Sequence, residues 1–194
     1  MTDWGALYRD HVSAIAALAG DLDDEQLTMT VPASPAWTVR DVLAHLAGGP
    51  ADAVTGRMDG APSPEWTARH VAERTHLPVP ELVAELETNR DVTAERAAEA
   101  QTPAVVWDIA VHHADLHEAL GRGRLSDHLW RPIVDELGPQ RTPDLVGVLE
   151  PYELFRALFS RRSRTQLDDA GVPGDRVDAV GIFGPRDDDQ PVPA

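Results

Sequence analysis

Two residues one helical turn apart, Asp108 and His112, carry the clearest chemical signal in the sequence. Positions i and i+4 of a helix lie on one face, and this face also carries Val105, Val111 and Leu116. We therefore expect both polar side chains to point inward. A desolvated carboxylate is costly unless it is paired or binds a metal, and this spacing lets both side chains reach one ion. The pattern predicts part of a metal site, with a buried hydrogen-bonded pair as the simpler alternative.

A third ligand is expected from another helix, and His45 is the best candidate. The residues on its helical face are small or polar and leave room beside an inward-facing ring: Asp41, Val42, Gly48, Gly49 and Asp52. Metal sites in helical bundles are built from side chains that project inward from facing helices. His45, Asp108 and His112 would supply two nitrogens and one oxygen. The remaining coordination positions would be open to water or substrate, as in catalytic sites.

Three further histidines and one arginine carry weaker signals. His11 lies on the inner stripe of the first helix, where a hydrogen-bonded core residue is the main interpretation and a place in the pocket is the alternative. His113 and His117 fall on the far side of their helix, so we expect them to face solvent. Arg162 falls on the apolar stripe of the last helix and needs an anion. That anion is either an internal carboxylate, the default in so acidic a chain, or a substrate carboxylate.

Amphipathic helices must position these residues. The apolar spacing predicts five of them, at about 3–19, 39–49, 80–100, 103–120 and 152–167. Thr38 is expected to cap the second, Gly48 and Gly49 to loosen its end, and residues 50–80 to form an irregular connection with a short helical piece. The fold expected is all-α, an antiparallel four-helix bundle with an additional C-terminal helix. Residues 1–125 would form the bundle, and 126–194 a proline-containing linker, the last helix and a short tail packed on it.

Composition excludes several classes of function. The 194 residues carry a formal net charge of −16, which opposes contact with nucleic-acid phosphates. The chain has no cysteine, so it can supply no disulfide, thiolate ligand or thiol nucleophile of its own. It contains no run of roughly 18 apolar residues and no signal-peptide pattern. We expect a cytoplasmic protein that binds neither nucleic acid nor a membrane.

Three blocks of the sequence resemble a known family. The run SPAWTVRDVLAHLAG, which contains His45, is similar to the segment with the first metal histidine of the mycothiol-dependent maleylpyruvate isomerase family of actinobacteria. The run VWDIAVHHADLHEALGRG is similar to the family's fourth helix, where a glutamate and a histidine four residues later complete the metal site. The run ELFRALFSRRSRTQL followed by IFGPR resembles the C-terminal segment of family members. The fold implied is a DinB-like four-helix bundle.

The resemblance implies a site and a chemistry. His45 and His112 match two of the family's metal ligands, and Asp108 stands where the family has a glutamate. Because aspartate is one methylene shorter, it reaches the same ion only if its helix lies closer or a water intervenes. The implied metal is divalent, with zinc as the first choice and nickel, manganese or iron as alternatives. The implied cosubstrate is a low-molecular-weight thiol, mycothiol.

In the implied reaction the metal lowers the pKa of the thiol, and the thiolate attacks a small electrophilic substrate. The enzyme would be an isomerase if the thiol is later eliminated, or an S-transferase if the adduct is the product. Arg162 would orient a carboxylate of the substrate. Two alternatives stay open: a non-catalytic metal-binding bundle or interaction protein, and a metal-dependent hydrolase that uses metal-bound water. A homodimer is one option for the oligomeric state.

Overall fold

The computed structural model describes residues 2–193, and helices dominate this part of the chain. The described residues contain a few isolated β-bridges and no extended β-strand. The all-α class is therefore confirmed. The helices are α1 (Trp4–Gly20), α2 (Asp24–Thr28), α3 (Val39–Thr55), α4 (Pro64–Arg74), α5 (Val79–Glu99), α6 (Ala104–Ala119), α7 (Asp127–Arg141), α8 (Pro151–Leu158), α9 (Arg164–Asp169) and α10 (Gly174–Val177).

The chain divides into two compact units between Arg122 and Gly123. In the first unit, α1 and α3 each pack against both α5 and α6, which makes a four-helix bundle. The apolar stripes of these helices meet in its core, where Ile15, Leu86 and Ile109 are almost completely buried. No helix within residues 2–193 combines the length and apolarity needed to cross a membrane.

A long crossover makes α3 and α5 run in the same direction. Arg40, near the start of α3, donates to the carbonyl of Leu77, just before α5 begins. Arg96, near the end of α5, donates to the carbonyl of Ala53, near the end of α3, at 2.7 Å. Because these two contacts join like ends, the helices are parallel within the DinB-like bundle. The segment between them therefore has to return along the bundle, and it carries α4 on the way.

The second helix of the bundle begins as predicted but continues further. Thr38 caps α3 in a capping box with Asp41, as its sequence indicates. Gly48 and Gly49 do not end α3, which continues through Pro50 to Thr55. Glycine at position 48 allows close packing of α3 against α4 and does not end the helix. A Cβ at Gly48 would lie 2.6 Å from the Cβ of a residue on α4. The short helical piece expected in the connection is α4.

The second unit differs from its sequence prediction in two places. The expected linker after residue 126 is a helix, α7, because Leu129, Ile133 and Leu137 form a buried stripe that outweighs the proline signals. The single helix expected over 152–167 is two helices, α8 and α9. Ser163 begins α9 with a capping box to Gln166, a start signal that is present in the sequence.

Candidate metal centre

The three predicted ligands lie together in the first unit. His45 comes from α3, and Asp108 and His112 come from α6, which packs against α3. His45 Nε2 lies 3.3 Å from Asp108 Oδ2, and His112 Nε2 lies 3.7 Å from Asp108 Oδ1. One ligand atom from each residue lies within 4.8 Å of the other two. The shorter carboxylate of Asp108 thus still reaches both imidazoles.

Asp108 is more exposed than the sequence pattern indicates. The pattern predicts a desolvated carboxylate, but the Asp108 side chain is 47% exposed, whereas that of His45 is 2% exposed. The difference arises because Asp108 lies one turn after the start of α6 at Ala104, on the part of the helix that the bundle does not cover. Solvent therefore reaches the cluster from the Asp108 side.

Asp115 lies beside Nδ1 of His112. His112 Nδ1 is 3.1 Å from Asp115 Oδ2, and the Asp115 side chain is fully buried. The two atoms are close, but Nδ1 makes no well-aligned hydrogen bond within the structure. Metal-binding histidines commonly have a carboxylate or carbonyl near the second ring nitrogen, and Asp115 occupies that place.

A series of hydrogen-bonded, buried polar groups begins at Nδ1 of His45. His45 Nδ1 is hydrogen-bonded to Nδ1 of His70 on α4 at 3.1 Å, and His70 Nε2 is hydrogen-bonded to Asp52 Oδ2 at 3.2 Å. Asp52 also accepts a hydrogen bond of 2.5 Å from Arg69. His70 and Asp52 are both almost completely buried. These two residues therefore connect the candidate ligand to the guanidinium of Arg69.

His70 and Asp52, the two buried members of this hydrogen-bonded series, differ in charge. Burial lowers the pKa of His70 to about 4, and the neighbouring His45 ring adds to this effect. Burial alone would raise the pKa of Asp52, but hydrogen bonds from Arg69 and His70 lower it below its usual range. At neutral pH His70 is therefore uncharged and Asp52 is an anion.

The cluster fits a divalent metal on two observations. His45 Nε2 is buried and makes no hydrogen bond within the structure, although it lies next to Asp108. Nitrogen and oxygen ligands bound at about 2.0–2.1 Å in a tetrahedron lie about 3.3 Å apart, and each imidazole Nε2 lies 3.3 or 3.7 Å from one of the two Asp108 oxygens. The indole of Trp37 borders both rings, with centroids 5.0 Å from His45 and 5.8 Å from His112.

The histidines on the other side of α6 are not at the surface. His113 was expected to face solvent but is 1% exposed, because α1 covers this side of α6. Its Nδ1 is hydrogen-bonded to Nδ1 of His11 at 3.0 Å, and burial lowers its pKa to about 2. His117 is partly buried and packs edge-on against His113. His11 is thus a hydrogen-bonded core residue, as the main interpretation held.

Arg162 lies in the second unit, between α8 and α9, and is not on a helical stripe. Its side chain is buried, and its Nε lies 2.5 Å from Glu153 Oε2. This contact agrees with the internal-carboxylate alternative. Arg162 and Glu153 also line a pocket of about 310 Å³ within the second unit. A role for Arg162 in holding a substrate carboxylate stays a prediction.

Three residues around the cluster, Asp115, Asp52 and His70, were not predicted to contribute to the site. Asp115 follows His112 by three residues, so its helical spacing could have identified it as a partner. Asp52 lies on the same face of α3 as His45, two turns further on. His70 has no comparable signal: it lies in the short helical piece expected at about 66–73 within the connection, and no spacing relates it to His45.

The fold and the cluster together define an all-α bundle with a two-histidine, one-carboxylate site open to solvent on one side. Residues 8–131, more than half of the chain, match the mycothiol maleylpyruvate isomerase N-terminal domain family. The chain therefore belongs to this family, and the resemblance found in the sequence is confirmed. No significant match is found among curated proteins or among solved structures.

Proposed function

We propose that this protein is a divalent-metal enzyme that uses a low-molecular-weight thiol, mycothiol, to attack a small electrophilic substrate. Membership of the mycothiol maleylpyruvate isomerase N-terminal domain family supports the thiol. The convergence of His45, Asp108 and His112 supports the metal. The reaction would be an isomerisation or an S-transfer.

In this proposal, His45, Asp108 and His112 would hold the metal. A bound zinc or similar ion would stabilise the thiolate form of the thiol at neutral pH. The chain supplies no sulfur of its own, since it contains no cysteine. The exposed side of Asp108 gives thiol and substrate a route to the cluster, and Trp37 forms an apolar wall beside the two rings.

One observation carries the proposal: the two imidazoles have their Nε2 atoms next to the Asp108 carboxylate, while other polar groups lie next to their Nδ1 atoms. Asp115 lies against Nδ1 of His112, and His70 is hydrogen-bonded to Nδ1 of His45. A simple buried histidine–aspartate pair would need neither arrangement. Free ring nitrogens that face a common carboxylate are what a cation site requires.

Metal analysis of the purified protein tests the site. We expect about one equivalent of divalent metal in the wild type and in His76→Ala, whose histidine is exposed and outside the cluster. We expect almost none in His45→Ala and in His112→Ala, each checked for retained helix by circular dichroism. Equal metal content in all four proteins would exclude this cluster as the site.

Thermal melting of the metal-loaded protein with mycothiol tests the use of the thiol. A ligand that binds only the folded state at 100 times its dissociation constant stabilises it by about 2.7 kcal/mol. We expect mycothiol to raise the melting temperature of the loaded wild type and not that of His112→Ala. No shift in the loaded wild type would contradict thiol dependence and favour a metal-dependent hydrolase or a metal-binding module.

A further inference from the structure

We propose that His70 and Asp52 are positioning residues: their hydrogen-bond chain sets the tautomer of His45, so that its Nε2 lone pair faces Asp108 and His112. This inference rests on the proposed function, because it treats His45 as a metal ligand. His70 and Asp52 themselves are too far along the chain of contacts to touch the metal. They act only through His45.

The direction of the hydrogen bonds is set at the Asp52 end. Asp52 accepts from Arg69 at 2.5 Å and lies 3.6 Å from Arg57, and both guanidinium groups favour its anionic form. An ionised carboxylate has no proton to donate. In the 3.2 Å hydrogen bond between them, His70 Nε2 must therefore be the donor.

The donor at His70 Nε2 determines the roles of the other ring nitrogens. His70 is completely buried, and burial disfavours a charged imidazole, so its single N–H is the one on Nε2. His70 Nδ1 then carries a lone pair and can only accept. In the 3.1 Å hydrogen bond between the rings, the donor must be His45 Nδ1. When His45 carries a single proton, as a metal-binding imidazole must, that proton is on Nδ1 and leaves Nε2 bare; Nε2 is the atom that lies 3.3 Å from Asp108.

Each candidate histidine ligand thus has a buried carboxylate on its Nδ1 side. For His112 the carboxylate is adjacent, and for His45 one further residue lies between. Asp115 lies directly against His112 Nδ1, and Asp52 acts on His45 Nδ1 through His70. The longer route links α4 to the site, because His70 comes from the crossover and not from the four bundle helices. His45 can therefore be oriented in this way only when the crossover is packed against the bundle.

The substitution Asp52→Leu tests whether the carboxylate sets the direction of the hydrogen bonds. Asp52 Oδ2 accepts from both Arg69 and His70, so an asparagine could keep its amide oxygen there, whereas leucine offers no acceptor to His70 Nε2. His70 then has no need to keep its proton on Nε2, and His45 Nδ1 is no longer required to donate. We expect Zn²⁺ affinity to fall about 10–100-fold, the usual effect of removing an outer partner of a metal-binding histidine. We also expect ¹⁵N NMR of the metal-free protein to show that His45 loses its preference for the Nδ1–H form.

Glu73→Leu is the matched control, because Glu73 contacts the same two arginines, Arg57 and Arg69, without touching a histidine. It should leave both the His45 tautomer and Zn²⁺ affinity unchanged. A folded Asp52→Leu protein with an unchanged tautomer and unchanged affinity would overturn the inference. The NMR readout needs no metal, so a wild type that binds no Zn²⁺ but shows the Nδ1–H form of His45 would refute the proposed function alone.

A second pair of variants keeps the test decisive if Asp52→Leu does not fold. In His70→Asn, the amide oxygen can occupy the place of Nδ1 and accept from His45, whereas His70→Leu has no acceptor. We expect the asparagine variant to keep the Nδ1–H form of His45 and most of the Zn²⁺ affinity, and the leucine variant to lose both. Equal behaviour of the two variants would show that His70 only fills space.

Discussion

Asp108 differs from the two histidines around it in its contact with solvent. The rings of His45 and His112 are buried, and other side chains lie next to their Nδ1 atoms, whereas the carboxylate between them is about half exposed. Close packing limits the positions that the two buried rings can take. Exposure places the Asp108 carboxylate beside the open side of the site.

At the residue scale, we expect Asp108→Asn to lower Zn²⁺ affinity by more than about 100-fold, because losing a direct ligand should exceed the loss of an outer partner. The stability of the metal-free protein should change by less than about 0.5 kcal/mol, because the side chain is largely at the surface. Isothermal titration and chemical denaturation measure the two quantities. Asp91→Asn, which alters an exposed acid paired with Arg9, is the control and should change neither affinity nor fold.

At the scale of elements, the crossover helix α4 is what completes the site. It packs against α3 at Gly48, and it is tied to α5 by the paired hydrogen bonds of Arg74 to Glu85 at 2.6 and 2.7 Å. The absence of a side chain at Gly48 lets His70 approach α3 closely enough to reach His45. A segment that looks like a plain connection in the sequence thus contributes a buried residue to the centre of the unit.

Substitution of the two adjacent glycines should have opposite effects. In Gly48→Ala the new Cβ would lie 2.6 Å from His70 Cβ, so we expect overpacking to cost about 1–3 kcal/mol and to disturb the bond between His70 and His45. In Gly49→Ala the nearest atom is 3.8 Å away, so we expect no loss and a gain of up to about 1 kcal/mol from helix propensity. Urea denaturation compares the two, and equal stabilities would contradict the close packing at Gly48.

At the scale of the whole molecule, few side chains of this protein titrate at alkaline pH. Every one of the 17 basic residues is arginine, and the chain has no cysteine and only two tyrosines. Between about pH 8 and about pH 12, the titrating groups are therefore the two tyrosines and the terminal amine. Burial raises the pKa of the Tyr8 phenol well above its ordinary value of 10.0.

The raised pKa of Tyr8 makes stability depend on pH in one direction. Below pH 10 both folded and unfolded chains keep the phenol proton; above it only the unfolded chain loses it, so stability falls as pH rises. The slope approaches about 1.4 kcal/mol per pH unit for this one group. We expect Tyr8→Phe to reduce the loss of melting temperature between about pH 9 and about pH 11. Parallel pH profiles of wild type and variant would show that the phenol is not protected.

The sequence predicted those features that depend on one helix at a time. The spacing of Asp108 and His112, the Thr38 cap and the extents of α1, α5 and α6 follow from helical periodicity and local hydrogen bonds, which short segments determine for themselves. The prediction failed for α7 and for the break between α8 and α9. In α7, packing against α8 outweighed prolines, and at the break a capping box interrupted an apolar stripe.

By itself, the sequence determined the class of fold, the family and the three residues of the candidate site, because each is marked by a local pattern of residue types. Only the tertiary structure decided that His113 is buried, that Asp108 is exposed and that His70 joins His45 to Asp52. Periodicity states which residues share a face of one helix. It does not state whether another helix covers that face, or which one, because this depends on how separate helices pack and on where the crossover runs.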